Sequence, residues 1–368
     1  MLRERITVST RRLLLGLALV VGLLSAAPVT HAASKPACTP AAGQAFIEQG
    51  RYDRAISEFT CLIDADPTGV EGYRGRIEAQ VLLGRYANAI RDYTRVTAFV
   101  KPAHPDAWQT ILDGYAARLA VNPDDLKALT GASFGRWWFF EYPPALQLLN
   151  EILKLQPDNA YATLFRGSSR QLHHSNVTNG IADLDRAIEL APTSADVRQI
   201  VADAFTYGGA KDFDRAYAEA SLALAWGLDN PRVHAILAQT LNAFGDVQGA
   251  ADHIDRHLDL VTTELVSTAP IVPGDTFTLP LVPGRTFAIP VAATAGQTIS
   301  IATSSPDPDL WDTIMALYGP NGSPLVGADD TNGYYAALDW VAPATGTYVL
   351  RVTSFEAVTT GQLVVTRG

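Results

Sequence analysis

Between residues 43 and 262 apolar residues recur every three or four positions, in stretches about a dozen residues long. That interval gathers them on one face of a helix, and the Gly, polar or Pro breaks between stretches end each helix. The segment therefore predicts a series of helical hairpins. After Thr263 Lys disappears, and Thr, Val, Gly and Pro become frequent. From Ile271 to Ala293, "IVPGDTFTLPLVPGRTFAIPVAA" alternates apolar with small polar residues between Pro-Gly turns, as short strands do. "QTISIATS", "TIMALYG", "AALDWVA", "TYVLRVTSF" and "GQLVVT" continue the pattern. Seven or eight strands are expected in about 100 residues, which predicts an antiparallel β-sandwich. The fold class is thus multidomain: an all-α helical-repeat solenoid over 43–262, a linker at 263–270 and an all-β sandwich over 271–368.

The helical half repeats itself. "GRYDRAI" (Gly50 to Ile56) returns as "GRYANAI" (Gly84 to Ile90), 34 residues later and with five of seven letters kept. Ala55, Phe59 and Pro67 in the first copy correspond to Ala89, Tyr93 and Pro102 in the second, the Pro one place late. Later copies supply Ala145, Leu149 and Pro157, then Leu184, Ala187 and Pro192. Small residues let paired helices approach and the larger ones fill the space beside them. No hairpin can bury its apolar stripe alone, so neighbours must stack. This pattern resembles the tetratricopeptide repeat, in roughly six copies over 43–262. Between Pro102 and Asn122 the chain is too short for a whole hairpin. The resemblance implies a superhelix whose groove, lined by the first helix of each hairpin, holds a peptide or protein. Its positions put Arg74, Glu78, Phe134, Trp137, Phe165 and Arg198 toward that groove. Beside them, "RWWFFEYPP" (Arg136 to Pro144) is the most aromatic segment of the chain. Aromatic residues with an Arg are what binding hot spots use. Trp137 and Trp138 are helix neighbours and cannot both face inward, so at least one is expected at the surface. Phe140 and Tyr142 are expected to pack the turn between helices.

The N-terminus changes where this happens. Arg3, Arg5, Arg11 and Arg12 precede the apolar run "LLLGLALVVGLLSAA", and "THA" ends at Ala32, which reads as a cleaved export signal over 1–32. The run is shorter than the roughly 20 residues that cross a bilayer. Export to a periplasm, a cell surface or the medium is expected, with no membrane span after cleavage. Cys38, in the segment 33–42, and Cys61 would then meet an oxidising compartment and are expected to pair. A formal charge of -10 argues against nucleic acid as a partner, because neutralising phosphates takes clustered Lys and Arg.

Catalytic motifs are few. "GASFG" (Gly131 to Gly135) spells G-x-S-x-G, but that motif needs a strand-to-helix turn, and Ser133 falls within a helix. His253 and His257 stand four apart on one helix face, a metal-pair spacing without a third ligand, and a solvated polar face is the expected reading. No phosphate loop, dinucleotide fingerprint or cysteine metal cluster occurs.

In the second half "DTIMALYGPNGSPL", Asp329 with Asp330, and "LDWVAPATGTYVLRV" resemble the bacterial pre-peptidase C-terminal domain, over about 271–368. This resemblance implies a β-sandwich appended to secreted proteins. Related sandwiches bind calcium through loop carboxylates, and Asp307, Asp309, Asp312, Asp329 and Asp330 are the candidates here. They are equally read as turn acids capping loops. Apart from calcium no cofactor is expected. The expected function is a non-enzymatic, exported scaffold or adaptor, its solenoid holding a protein or peptide and its sandwich attaching to a surface, matrix or partner. The alternatives are an exported hydrolase with a site around Ser133 or His253, and a self-assembling envelope protein.

Overall fold

The computed structural model describes residues 38–96, 107–282, 284–306, 312–329, 335–355 and 361–368. The expected export signal over 1–32, residues 33–37 and three of the five candidate calcium ligands, Asp307, Asp309 and Asp330, lie outside the described residues.

Helices come first, in the pairs the apolar spacing predicts. They are α1 (Pro40–Glu48), α2 (Tyr52–Ala65), α3 (Val70–Leu82), α4 (Tyr86–Arg95), α5 (Ala107–Val121), α6 (Leu126–Trp138) and α7 (Tyr142–Leu155). Then follow α8 (Ala160–Leu172), α9 (Val177–Leu190), α10 (Ala195–Tyr207), α11 (Phe213–Ala225), α12 (Pro231–Phe244) and α13 (Val247–Val261). Helix starts are set by side chains that accept from orphan amides: Asn159 from Ala162, Ser194 from Val197, Asn230 from Val233 and Asp246 from Gly249. Cys38 and Cys61 are joined by a disulfide that ties the start of α1 to α2. The short stretch after Pro102 yields the single helix α5, which packs on α6 without a hairpin partner of its own among the described residues.

The repeated "GRY" is a helix stop. Gly50 and Gly84 take φ of 68° and 79°, and the amides of Gly50 and Arg51 bond back to the carbonyls of Ile47 and Phe46. Only a residue without Cβ enters this left-handed turn freely. After α6 the same turn is made by Phe140, with φ 61° and its amide bonded to the Trp137 carbonyl. A left-handed L-residue costs about 1–2 kcal/mol. Phe140→Gly is therefore expected to raise the stability of the chain by about 1 kcal/mol, read as a higher urea midpoint at unchanged slope.

The strands are β1 (Glu264–Ser267), β2 (Thr276–Leu281), β3 (Arg285–Ala293), β4 (Thr298–Ser304), β5 (Thr313–Tyr318), β6 (Pro324–Asp329), β7 (Ala337–Val341), β8 (Gly346–Ser354) and β9 (Gly361–Arg367). They form one sheet in the order β1-β3-β8-β5-β6 and a second in the order β2-β9-β4-β7. Between the sheets lies a core that includes Ile289, Val291, Ile301, Met315, Leu317, Leu350 and Val365. Among the described residues all pairings are antiparallel except β1 with β3. The stretch 263–270, expected as a linker, runs straight from α13 into β1, with the Thr263 amide bonded to the Gly284 carbonyl.

Strand β5 is buried along its whole length, on both faces. Because successive side chains point to opposite faces, Met315 and Leu317 enter the sandwich core while Ile314, Ala316 and Tyr318 face the solenoid. There they meet Ala250, Ile254 and Leu258 of α13. Gly327 of β6 allows the approach, since a Cβ there would sit 2.5 Å from the Ile254 side chain. Tyr318 donates to Asp255 at 2.6 Å, and Arg351 reaches Asp255 and Asp259 at 3.3 Å. A stacked array leaves an apolar face on its last repeat. The sandwich covers it.

Candidate functional site

The first helices α6, α8, α10 and α12 pack side by side, as the repeat demands. Their shared face is where the sequence places the groove residues. Helix α4 lies across it. The Tyr86 ring sits 5.9 Å from Tyr161 and 5.2 Å from Phe165 of α8, the latter edge-on. The Tyr93 ring sits 5.7 Å from Phe134 of α6 and from Phe139, and 6.5 Å from Trp138. At the α4 N-terminus the Ala87 amide donates to Asp196 of α10 at 2.8 Å, 109 residues away in sequence. A carboxylate there also complements the positive end of the helix dipole. Burial raises the Asp196 pKa, and the amides of α4 oppose the rise. Burial likewise pushes the Tyr86 and Tyr93 hydroxyls up, so both stay protonated at neutral pH.

The sequence-predicted contacts are redistributed accordingly. Phe134 and Phe165 are fully buried and Trp137 nearly so, its indole donating to Ser168 at 3.1 Å. These three form the floor beneath α4, not free surface for a partner. Trp137 and Trp138 both join this aromatic cluster, Trp138 half-buried, although the helix turns them to different sides. Glu78 is buried and bonded to Arg118 at 2.9 Å, with burial raising its pKa against the pull of that guanidinium. Arg198 is held by Glu219 at 2.6 Å and lies over the Trp226 ring. Arg74, paired with Glu71, keeps 31% of its side chain in solvent.

Phe140, Trp226 and Phe244 are exposed at helix ends, and Tyr217 is exposed within α11. Phe140, expected to pack its turn, is 65% exposed because the left-handed turn throws its side chain outward. It meets Tyr142 edge-on at 6.2 Å, and Tyr142 in turn meets His173 at 6.2 Å, so the contact crosses from the α6–α7 turn to the α8–α9 turn. Further along, Tyr217 and Phe244 stack edge-on at 6.0 Å, 38% and 48% exposed. Trp226 is exposed at the end of α11. A phenylalanine in the glycine slot of "GRY" was the signal in the sequence for this edge.

The remaining candidates are placed as follows. Ser133 is fully buried, its hydroxyl bonded to the Thr130 carbonyl at 3.0 Å and the Tyr161 hydroxyl at 2.8 Å. It offers a substrate no access. His253 and His257 do not share a solvated face: His257 is fully buried between two carbonyls, and His253 turns to His234. Asp312 and Asp329 stand at the same end of β5 and β6, since Ile314 pairs with Asp329. Among the described residues no set of three or more His, Cys, Asp or Glu side chains could hold a metal ion. No helix there is long and apolar enough to cross a membrane.

Residues 41–107 match the tetratricopeptide repeat family model. The opening hairpins are tetratricopeptide repeats. No curated protein matches the chain. Among solved structures, TTC0263, a thermophilic tetratricopeptide protein in Thermus thermophilus, is 19% identical over 55% of this chain and 97% of its own, with a TM-score of 0.35. A human IFIT1 dimer with m7Gppp-AAAA is 12% identical over 59% of each chain, with a TM-score of 0.38. The pre-peptidase C-terminal domain of collagenase from Bacillus anthracis is 15% identical over 28% of this chain and 95% of its own, with a TM-score of 0.24. None of these likenesses bears on what the tetratricopeptide hairpins of this chain bind.

Proposed function

We propose that this chain is an exported, non-enzymatic scaffold that binds a protein partner along the turn edge of its solenoid, with the sandwich closing the last repeat and providing the outward attachment surface. Tetratricopeptide repeats are in general protein-interaction scaffolds. The observation that carries the reading is Phe140: a large aromatic side chain, mostly in solvent, held in a strained left-handed turn where glycine would be more stable. Strain kept at an exposed aromatic residue is a mark of use rather than of packing. The first-helix face serves poorly as the docking site, because α4 already fills its middle.

Capture of partners from an envelope extract of the producing cells by the full chain tests this. The Phe140→Gly, Phe244→Ser double variant keeps the core intact and is expected to lose at least about tenfold of the captured protein. Undiminished capture would remove the turn edge from the reading. Saturable binding of single-stranded RNA in a parallel titration, with no protein captured, would replace the protein partner altogether.

A further inference from the structure

In the α12–α13 hairpin two imidazoles face each other. The Nδ1 atoms of His234 on α12 and His253 on α13 are 2.8 Å apart, and the rings are centred 5.0 Å apart. The other nitrogen of His234, Nε2, is 2.8 Å from Asp229, whose second oxygen is held by Arg256 at 2.5 Å. This chain of contacts decides the tautomer. A carboxylate only accepts, so Nε2 of His234 carries the proton and Nδ1 presents its lone pair. Two bare nitrogens at 2.8 Å would repel, so either an N–H hydrogen or a cation must stand between them. In the metal-free pair it is the N–H hydrogen of neutral His253, on Nδ1.

We propose that His234 and His253 form a binding site for a divalent transition-metal ion of the zinc, nickel or copper class, with water completing the shell. The site goes beyond the scaffold reading and does not rest on it. Imidazole pairs suit these metals rather than calcium or magnesium. A carboxylate on the far nitrogen of a ligand histidine is the usual second contact of such sites, since it fixes the ring and makes the ligating nitrogen more basic. Tetrahedral zinc with bonds of 2.0–2.1 Å sets its nitrogens about 3.3 Å apart. Opening the observed pair by about 0.5 Å needs only a small turn of His253, which is half-buried, while His234 stays fixed by Asp229. The proton on His253 Nδ1 passes to solvent and Nε2 takes one up, so the ring remains neutral and the metal meets two lone pairs. Burial lowers the pKa of both histidines, which keeps them in this neutral, ligating form at neutral pH. His257, one turn along α13, is no third ligand because both its nitrogens face backbone carbonyls.

Calorimetric titration of the full, untagged chain with Zn2+ is the test, paired with imidazole nitrogen NMR. One saturable equivalent is expected, with shifts confined to His234 and His253. His253→Gln, a partly exposed position, should weaken binding at least tenfold with an unchanged circular dichroism spectrum. Asp229→Asn should weaken it by about 10–100-fold through its ligand alone, and His174→Gln should leave it unchanged. Wild-type affinity in His253→Gln, or no saturable binding in the native chain, would overturn the proposal.

Discussion

Phe165→Ala is expected to destabilise the chain by about 3–5 kcal/mol, the range for emptying a phenylalanine site in a closed core. The site is closed on several sides. Tyr86, Phe134 and Trp137 present edges or faces at 5.2, 5.3 and 4.8 Å, and Tyr161 lies 4.8 Å away. Three of these rings belong to the first-helix face and Tyr86 to α4, so the ring joins elements more than seventy residues apart in sequence. Alanine would leave a void that the stiff aromatic rings cannot collapse into, and would remove edge-to-face contacts worth about 0.5–1.5 kcal/mol each beyond area burial. A urea melt followed by tryptophan fluorescence gives the result directly, since Trp137 lies against the vacated site. If Phe165 were a free groove residue, as the repeat pattern alone suggests, the midpoint would stay put and only partner binding would suffer.

That contrast marks what the sequence could convey. The period, the helix stops at Gly50 and Gly84 and the change to strands at Thr263 are local signals, and each reappears in the structure as a turn, a cap or a strand. The packing of α4 across α6, α8 and α10 is not local. Repeat grammar describes contacts between neighbouring hairpins, and an aromatic residue on a first helix reads identically whether it awaits a ligand or supports a helix of its own chain. The imidazole pair was hidden for a related reason. His234 and His253 fall on opposite arms of the hairpin closed by Gly245, 19 residues apart, whereas the visible spacing of His253 and His257 followed a single helix. Counting outward from Gly245 along both arms would have brought His234 into view. The docking of the sandwich depended on Gly327 being small and on β5 being apolar at consecutive positions from Ile314 to Leu317, not at every second one. A continuous apolar run is what a sheet covered on both faces requires, and "IMAL" carried that information.

Acidification is expected to weaken the chain through the junction, by about 3 kcal/mol between pH 6.5 and 4. His257 stands there, fully buried, with Nδ1 2.9 Å from the Pro231 carbonyl oxygen and Nε2 2.9 Å from that of Phe355 in the sandwich. A neutral imidazole has one N–H and satisfies one carbonyl; an imidazolium would satisfy both. Burial nevertheless dominates and lowers the pKa to about 4, with His234 and the Arg232 guanidinium adding to the cost of a charge. The unfolded chain takes up its proton near pH 6.5. Above that value neither state binds it and the full stability is present. Below it the unfolded state alone gains the proton, so stability falls as the pH drops and levels off once the folded histidine titrates near 4. His257→Gln offers both carbonyls an amide N–H and does not titrate in this window, so the difference between wild-type and variant unfolding free energies should follow this curve. His234 and His253, whose pKa values are also lowered, remain in both proteins, so of their titration only the coupling of His234 to His257 survives the comparison. Parallel profiles from pH 7 to 4 would show that His257 carries no such linkage, whatever the absolute stability of either protein.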